Sequence, residues 1–527
     1  AGVAAAVAVL AGSLLVGASV RASLAGLVTA RLGKADLLVS AENPFLDTLG
    51  DRLRTQPRLA AAVSGVAPVF ALEGVATHQS SSRRAGNVSV YGVDARFFDL
   101  HGVTATTPTG TSVLLSPDLA AELGATESDA VVLRVARPTD IPLDSLHGKK
   151  DDVGRAMRLR VQGVLPAETM GEFSLSPSQG PVRAMFVDLA RIQRDLEQPG
   201  RVNALLVSRA TAATLDAAAV VAALDEVLEA ADLGLSVTPV TPVSSASSAS
   251  SVSSVSSATS ASSPFLQIET ASGLMSAAQA DASTTASGAR PEFVTPVLSW
   301  LANRMTIGSR STPYSLVAGL GAYAAGDERL SALLYGSPTV TAGESPIVLS
   351  EWTARDLAAK VGDSLEMEYY RWADEGRLLT ERAMFRVVGI VPIEGVAADR
   401  RLSPAYPGIT DSESVADWDP PFPIDLTLVR PVDEDYWDRY KTTAKAFVPI
   451  EVAQRLWGTR YGKVSSLRVP GSEDGPADAV SRSIAAAVTR AVGSAGAART
   501  VVAVRTQNKA ASAGATDFGA YFSYFSF

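Results

Sequence analysis

Val113-Leu114-Leu115-Ser116, followed by Ala120, Glu122, Leu123, Asp129, Val131 and Leu133, returns later in the chain as Ile347-Val348-Leu349-Ser350, followed by Ala354, Asp356, Leu357, Asp363, Leu365 and Met367. The spacing is identical. A second block follows each copy: Arg160-Val161-Gln162-Gly163-Val164-Leu165-Pro166 with Glu168, and Arg386-Val387-Val388-Gly389-Ile390-Val391-Pro392 with Glu394. A third pairs Ala184-Met185-Phe186-Val187 and Gln193-Arg194 with Lys445-Ala446-Phe447-Val448 and Gln454-Arg455. Long-period self-similarity of this kind marks one structural unit used twice.

Local chemistry says what the unit is made of. A β-like run at 112–116 ends in Ser116-Pro117-Asp118, where Ser suits a helix N-cap and Pro the first helical position. Gly124 is placed to end that helix. Strands are expected at 130–136, 157–165, 183–187 and 202–208, with a helix at 188–197. The order β-α-β-β-α-β is mixed α+β. Upstream, 36–40 reads as a strand, Leu46 to Leu59 as a helix, and 66–70 and 87–94 as short strands flanking a polar loop, Gln79 to Arg84. Downstream, 212–232 reads as a helix, as does 265–282. A strand-helix region spans Val294 to Ile307, a turn enters a strand over 312–318, Ala477 to Val492 is helical and 500–506 is β-like. Residues 244–263 are dominated by serine and read as a flexible tether between the halves.

At 527 residues the chain exceeds one hydrophobic core. Apolar residues make up 47% and charged residues 19%, a globular rather than a disordered balance. The net charge of −9 and the lack of a basic stripe exclude a nucleic-acid binder. With no cysteine there is no disulfide framework and no thiolate metal site. Ala1 to Val20 carries no charge, and a helix-compatible pattern continues through Arg21, Leu24, Leu27, Val28 and Leu32. This reads as the end of a transmembrane helix flowing into a stalk. At the far end, Asp517-Phe518-Gly519-Ala520-Tyr521-Phe522-Ser523-Tyr524-Phe525-Ser526-Phe527 has the composition of an interfacial aromatic belt. The chain is therefore expected to be a fragment cut inside two membrane segments.

Catalytic signatures are missing. No phosphate-binding G-x-x-x-x-G-K-[ST] loop, G-x-S-x-G elbow or H-E-x-x-H pair occurs. The three histidines, His78, His101 and His147, each stand alone in a polar segment and read as surface residues. Two acidic clusters, Asp411, Glu413, Asp417 and Asp419, then Asp433, Glu434, Asp435 and Asp438, lack the spacing and glycine turn of a calcium loop and read as solvated loops. Glu168 and Glu394 recur in both copies; a turn-stabilising role is expected rather than acid–base work. No catalytic, cofactor-binding or metal-ligating residue is assigned, and no cofactor is expected.

Several stretches resemble the bacterial ABC transporter permeases of the MacB/FtsX-like, LolC/LolE-related family. They are the opening apolar helix into Arg21-Ala22-Ser23-Leu24, Arg31-Leu32-Gly33-Lys34-Ala35-Asp36, Val90-Tyr91-Gly92-Val93-Asp94 with Phe97-Phe98, the 113–124 and 160–164 blocks, and the ending from Asp517-Phe518 to Phe527. The resemblance implies a non-catalytic permease subunit whose extracytoplasmic domain lies between its first two spanning helices in the bacterial inner membrane. It also implies an ATPase partner, a homo- or heterodimer of permeases, membrane lipids, and a lipoprotein, peptide, lipid or drug-like cargo. The expected fold is α+β: two similar periplasmic-core-type modules, an internal duplication, on a membrane-proximal helical stalk. The expected divisions are 1–33 (membrane helix and stalk), 34–235 (first module), 236–263 (linker), 264–475 (second module) and 476–527 (return stalk and second membrane helix). Two readings compete with transport: a membrane-anchored binding or sensor domain, and an extracytoplasmic enzyme relying on its histidines.

Overall fold

The structure, a computed structural model, describes residues 2–138, 154–177, 180–211, 213–240, 265–336, 340, 342–373, 377–404, 406, 408–410, 412–420, 422–471, 477–496 and 499–512. The Ser-rich tract, His147, Asp411 and the aromatic ending fall outside these residues, as do the side chains before Ala11.

The elements run α1 (Gly2–Leu32), β1 (Leu37–Leu46), α2 (Leu49–Arg54), β2 (Val63–His78), β3 (Arg84–Val93), α3 (Ala95–His101), β4 (Ser112–Leu115), α4 (Pro117–Leu123), β5 (Ala130–Ala136), β6 (Gly154–Val164), β7 (Ala184–Asp188), α5 (Leu189–Asp195), β8 (Arg201–Arg209) and α6 (Ala217–Val227). Then follow β9 (Leu235–Val240), β10 (Phe265–Thr270), α7 (Ala277–Ala286), β11 (Thr295–Ile307), β12 (Arg310–Leu320), α8 (Glu328–Tyr335), β13 (Ser345–Ser350), α9 (Glu351–Leu357), β14 (Ser364–Trp372) and β15 (Leu378–Val391). The chain ends with α10 (Pro431–Tyr440), β16 (Ala446–Pro449), α11 (Ile450–Trp457), β17 (Ser466–Pro470), α12 (Ala477–Gly496), β18 (Arg499–Val502) and α13 (Val504–Ser512). The first compact unit takes residues up to 138, 152–228 and everything from 497; the second takes 229–496 with 139–151.

Each unit holds a nine-stranded sheet. In the first, β2-β3-β7-β4-β6-β5 closes on itself through β5–β2, and β8-β1-β18 extends from β2. In the second, β11-β12-β16-β13-β15-β14 closes through β14–β11, and β17-β10-β9 extends from β11. The likeness reaches single residues. Leu114 faces Phe186 and Val348 faces Phe447. The β4–β6 register slips by one residue between Val113 and Leu114, and the β13–β15 register slips between Ile347 and Val348, leaving Gln162 and Val388 as bulges. Gly92 and Gly319 occupy matching ladder positions; a Cβ would press on Ile192 of α5 at the first and, more severely, on Ala453 of α11 at the second, so both helices pack closely over a glycine.

The repeat motif explains its own local structure. Ser116 and Ser350 cap α4 and α9, accepting from the N–H of Leu119 and Thr353, each at 3.3 Å. Asp129 and Asp363 close the following loops by accepting from the N–H of Thr126 and Lys360, each at 2.7 Å. These are the residues that recur in sequence.

Several elements differ from the sequence reading. The expected helix Leu46–Leu59 is only α2, ended ahead of Pro57, which disfavours helical backbone at Gln56. The strands β2 and β3 are long, and only residues 79–83 turn between them. Residues 265–282 begin as strand β10, and 295–307 are strand throughout. Both strands bury consecutive residues on both faces, so they lack the alternation that identifies a half-buried strand. Helix α6 is shorter than 212–232 because Leu228 is extended. Helix α12 packs on α7 and β9 in the second unit, and the 500–506 run splits into β18 and the start of α13.

Candidate functional site: the helix-to-sheet junction

Helix α1 ends where Gly33 turns to φ 56°, a left-handed conformation suited to glycine. Four residues later β1 begins. At the other end of the first unit, β18 runs antiparallel beside β1, with Leu38 opposite Val502 and Ser40 opposite Thr500, and leads into α13. Helix α13 packs against α1. The first and last described helices therefore enter adjacent strands of one sheet.

Arg505, at the start of α13, fastens this arrangement. Its Nε donates to Asp36 Oδ1 at 2.7 Å, and its Nη2 donates to the carbonyls of Gly33 at 2.5 Å and Ala35 at 3.1 Å. Asp36 Oδ2 also accepts from the Arg209 N–H at 2.9 Å, so the carboxylate ties α13, the α1–β1 turn and the end of β8 together. Arg31, near the end of α1, donates through both Nε and Nη2 to Glu172 Oε2 at 3.1 Å. Asn508 of α13 donates to the Leu175 carbonyl at 2.8 Å. Charge-assisted bonds with planar guanidinium geometry are the stronger class of hydrogen bond.

His101 lies beneath the turn. Its Nδ1 accepts from the Lys34 N–H at 3.0 Å, and its ring packs edge-on against Phe97 at 4.7 Å. Phe97, Phe98, Phe173 and Phe186 form the surrounding core. Burial, with the nearby Lys34 and Arg505 charges, lowers the His101 pKa to about 4. A neutral ring accepting at Nδ1 carries its proton on Nε2, which has no partner among the described residues. The surface reading of His101 is thus corrected. His78 is also buried, held by Ser81 at 2.8 Å and Ser80 at 3.0 Å and 3.5 Å from Asp129.

The second acidic cluster is corrected too. It is helix α10, not a solvated loop: Asp435 and Asp438 are exposed, but Asp433 is buried. Arg430 donates to Asp433 at 2.8 Å and to Asp356 at 2.7 Å. Lys445 takes the ladder position that Ala184 holds in the first unit. Its Nζ lies 3.8 Å from Asp433 and between the rings of Trp352 and Tyr436, at 4.7 and 4.9 Å. Burial brings its pKa down to about 8. A small cleft with Tyr314, Trp418 and Trp437 among its walls opens beside this pair. In the first cluster Glu413, Asp417 and Asp419 are exposed. Glu168 and Glu394 belong to different units, both exposed, and neither side chain is hydrogen-bonded among the described residues, so the turn-stabilising role is not supported. Among the described residues, no group of three or more His, Asp or Glu could hold a metal ion, and no helix is long and apolar enough to cross a membrane.

Sequence reasoning quoted Asp36 but missed Arg505, because its partner lies at the far end of the chain. The signal available was an arginine shortly after the short strand 499–502.

No curated protein matches the chain. Three solved structures are similar at 11% identity. The periplasmic region of MacB from Actinobacillus actinomycetemcomitans has a TM-score of 0.24, covering 37% of this chain and 83% of that one. The extracellular domain of the noncanonic ABC-type transporter YknZ from Gram-positive bacteria has 0.22, covering 33% and 84%. A domain of a putative permease protein from Porphyromonas gingivalis has 0.23, covering 37% and 78%. The model of the MacB-like periplasmic core domain matches residues 1–231, from α1 through α6, and over those residues the chain is similar to that family.

Proposed function

We propose that the chain is the extracytoplasmic portion of the permease subunit of an ABC-type transporter, passing ATPase-driven motion from membrane helices to a domain that handles a lipoprotein, lipid, peptide or drug-like cargo. One observation carries the reading: α1 and α13 run side by side into neighbouring strands of one sheet and are clasped by Arg505. A helix is a stiff strut of about 1.5 Å per residue, and two struts fixed to one sheet transmit a displacement as a rigid-body or shear motion. Exposed Leu15 and Val16 on α1 fit a lipid-facing surface continuing toward the apolar start of the chain. The subunit acts without catalytic residues of its own. Its partners are an ATPase on the cytoplasmic side, a second permease and membrane lipids.

The full-length permease, reconstituted with its ATPase in proteoliposomes and spin-labelled on β3 and β12, tests this. ATP is expected to change the label distances, and Arg505→Ala is expected to weaken that response about tenfold while ATP hydrolysis continues. Label distances indifferent to ATP would end the transport reading.

A further inference from the structure

The two sheets end in strands that have changed places. In chain order, β8-α6-β9 closes the first copy of the repeat and β17-α12-β18 closes the second. Yet β9 completes the second unit's sheet, on β10, and β18 completes the first unit's sheet, on β1. The ladders fix the equivalence. Pro68 faces Leu205 and Pro296 faces Leu467, so β8 and β17 match with Val207 at the place of Val469. Leu37 faces Val207 and Leu266 faces Val469, so β1 and β10 match. On their outer edges, Leu38, Val39 and Ser40 face Val502, Val501 and Thr500, while Gln267, Ile268 and Glu269 face Thr238, Val237 and Ser236. The two outer strands therefore sit in one and the same register.

We propose that β9 and β18 are exchanged equivalents, and that the Arg505–Asp36 clasp selects β18 over β9 as the partner of β1. Unexchanged pairing would keep each copy self-contained, with α13 leaving the second unit and α1 entering the first. The exchange is what returns the end of the chain to α1. Backbone hydrogen bonding and apolar pattern scarcely discriminate, because Val501 and Val237 occupy the same place. Charge does. The position matching Arg505 on the β9 side is Thr241, and the position matching Asp36 is Phe265, the first residue of β10. A β18 paired with β10 would bring its arginine to a phenylalanine, and a β9 paired with β1 would leave Asp36 without its guanidinium. Arg499 adds to the preference by covering the Phe45 ring at 5.0 Å. Chain continuity acts in the same direction at the other edge, since β9 and β10 form an antiparallel pair from Leu235–Thr270 to Val240–Phe265.

Cysteine cross-linking in the full-length chain tests this, since the chain has no cysteine of its own. Ser40 Oγ and Thr500 Oγ1 are 2.9 Å apart, so Ser40→Cys/Thr500→Cys reports the exchanged pairing. Ser40→Cys/Ser236→Cys reports the unexchanged one. In the parent chain the first pair is expected to close and the second to stay reduced. The decisive background is Thr241→Arg/Arg505→Thr, which moves the guanidinium to the competing strand and still offers Asp36 a partner. Three charge-assisted hydrogen bonds moved in this way are expected to shift the ratio of the two cross-links toward the 40–236 pair by about tenfold or more. Arg505→Thr alone is expected to shift it in the same direction by less. A ratio unmoved by the transfer would overturn the selecting role of Arg505, and ready closure of the 40–236 pair in the parent chain would overturn the exchange itself.

Discussion

His101 is neutral at physiological pH because its ring is buried among Phe97 and Phe173 and faces Lys34 and Arg505. Its pKa in the folded chain, about 4, is below the ordinary 6.5. Between those values the unfolded chain binds the extra proton and the folded chain does not. The contribution is thus fully present above pH 6.5 and is lost as pH falls toward 4. One proton over that window is worth about 3 kcal/mol. His101→Asn keeps an acceptor for the Lys34 N–H and removes the titration. Urea midpoints of the first unit's transition, followed from pH 7 to pH 4, are expected to fall more steeply for the parent chain than for the variant; parallel curves would show that His101 is not the titrating group. The burial was partly legible in sequence. In Ala95-Arg96-Phe97-Phe98-Asp99-Leu100-His101 the histidine stands four residues after Phe97, on the same helical face. What sequence could not supply was the lid, the Gly33-Lys34 turn that excludes water from above.

At the scale of elements, the two copies solve one problem with unequal residues. Gly124 ends α4 at φ 62°, where glycine has no steric cost, but the matching end of α9 is Ala358 at φ 50°. An alanine held left-handed costs about 1 kcal/mol or somewhat more, only partly offset by glycine's larger unfolded entropy. Ala358→Gly is expected to stabilise the second unit by about 0.5–1 kcal/mol, and the matching Gly124→Ala to destabilise the first by a similar amount. Opposite signs in thermal or urea unfolding would bear out the equivalence; equal signs would refute it. This helix end, its Ser cap and the Asp loop after it were readable because each is decided by residues within a few positions. The strands β10 and β11 were not. Phe265-Leu266-Gln267-Ile268 is buried on both faces, and its strand identity comes from β9 and β17 on either side.

The whole molecule depends on pairings that no local pattern encodes. The repeat points to two similar modules, but β9 and β18 present equal registers to equal edges, and what separates them is the long-range Arg505–Asp36 pair. The same topology makes a prediction about the serine-dominated tract. Strands β9 and β10 are antiparallel neighbours whose last pair is Val240–Phe265. Deleting 244–263 leaves Thr241, Pro242, Val243 and Pro264 to join them, a length common in hairpin connections. Loop closure becomes cheaper by about 0.6 kcal/mol for each halving, so the shortened chain is expected to be more stable by about 1.5 kcal/mol and to unfold at a slightly higher urea concentration. In the Ser40→Cys/Thr500→Cys background it should also keep the 40–500 cross-link undiminished, since a tighter hairpin holds β9 more firmly on β10 and away from β1. Loss of folded protein, or closure of the 40–236 pair in the Ser40→Cys/Ser236→Cys background, would mean that the tract does more than join the two strands.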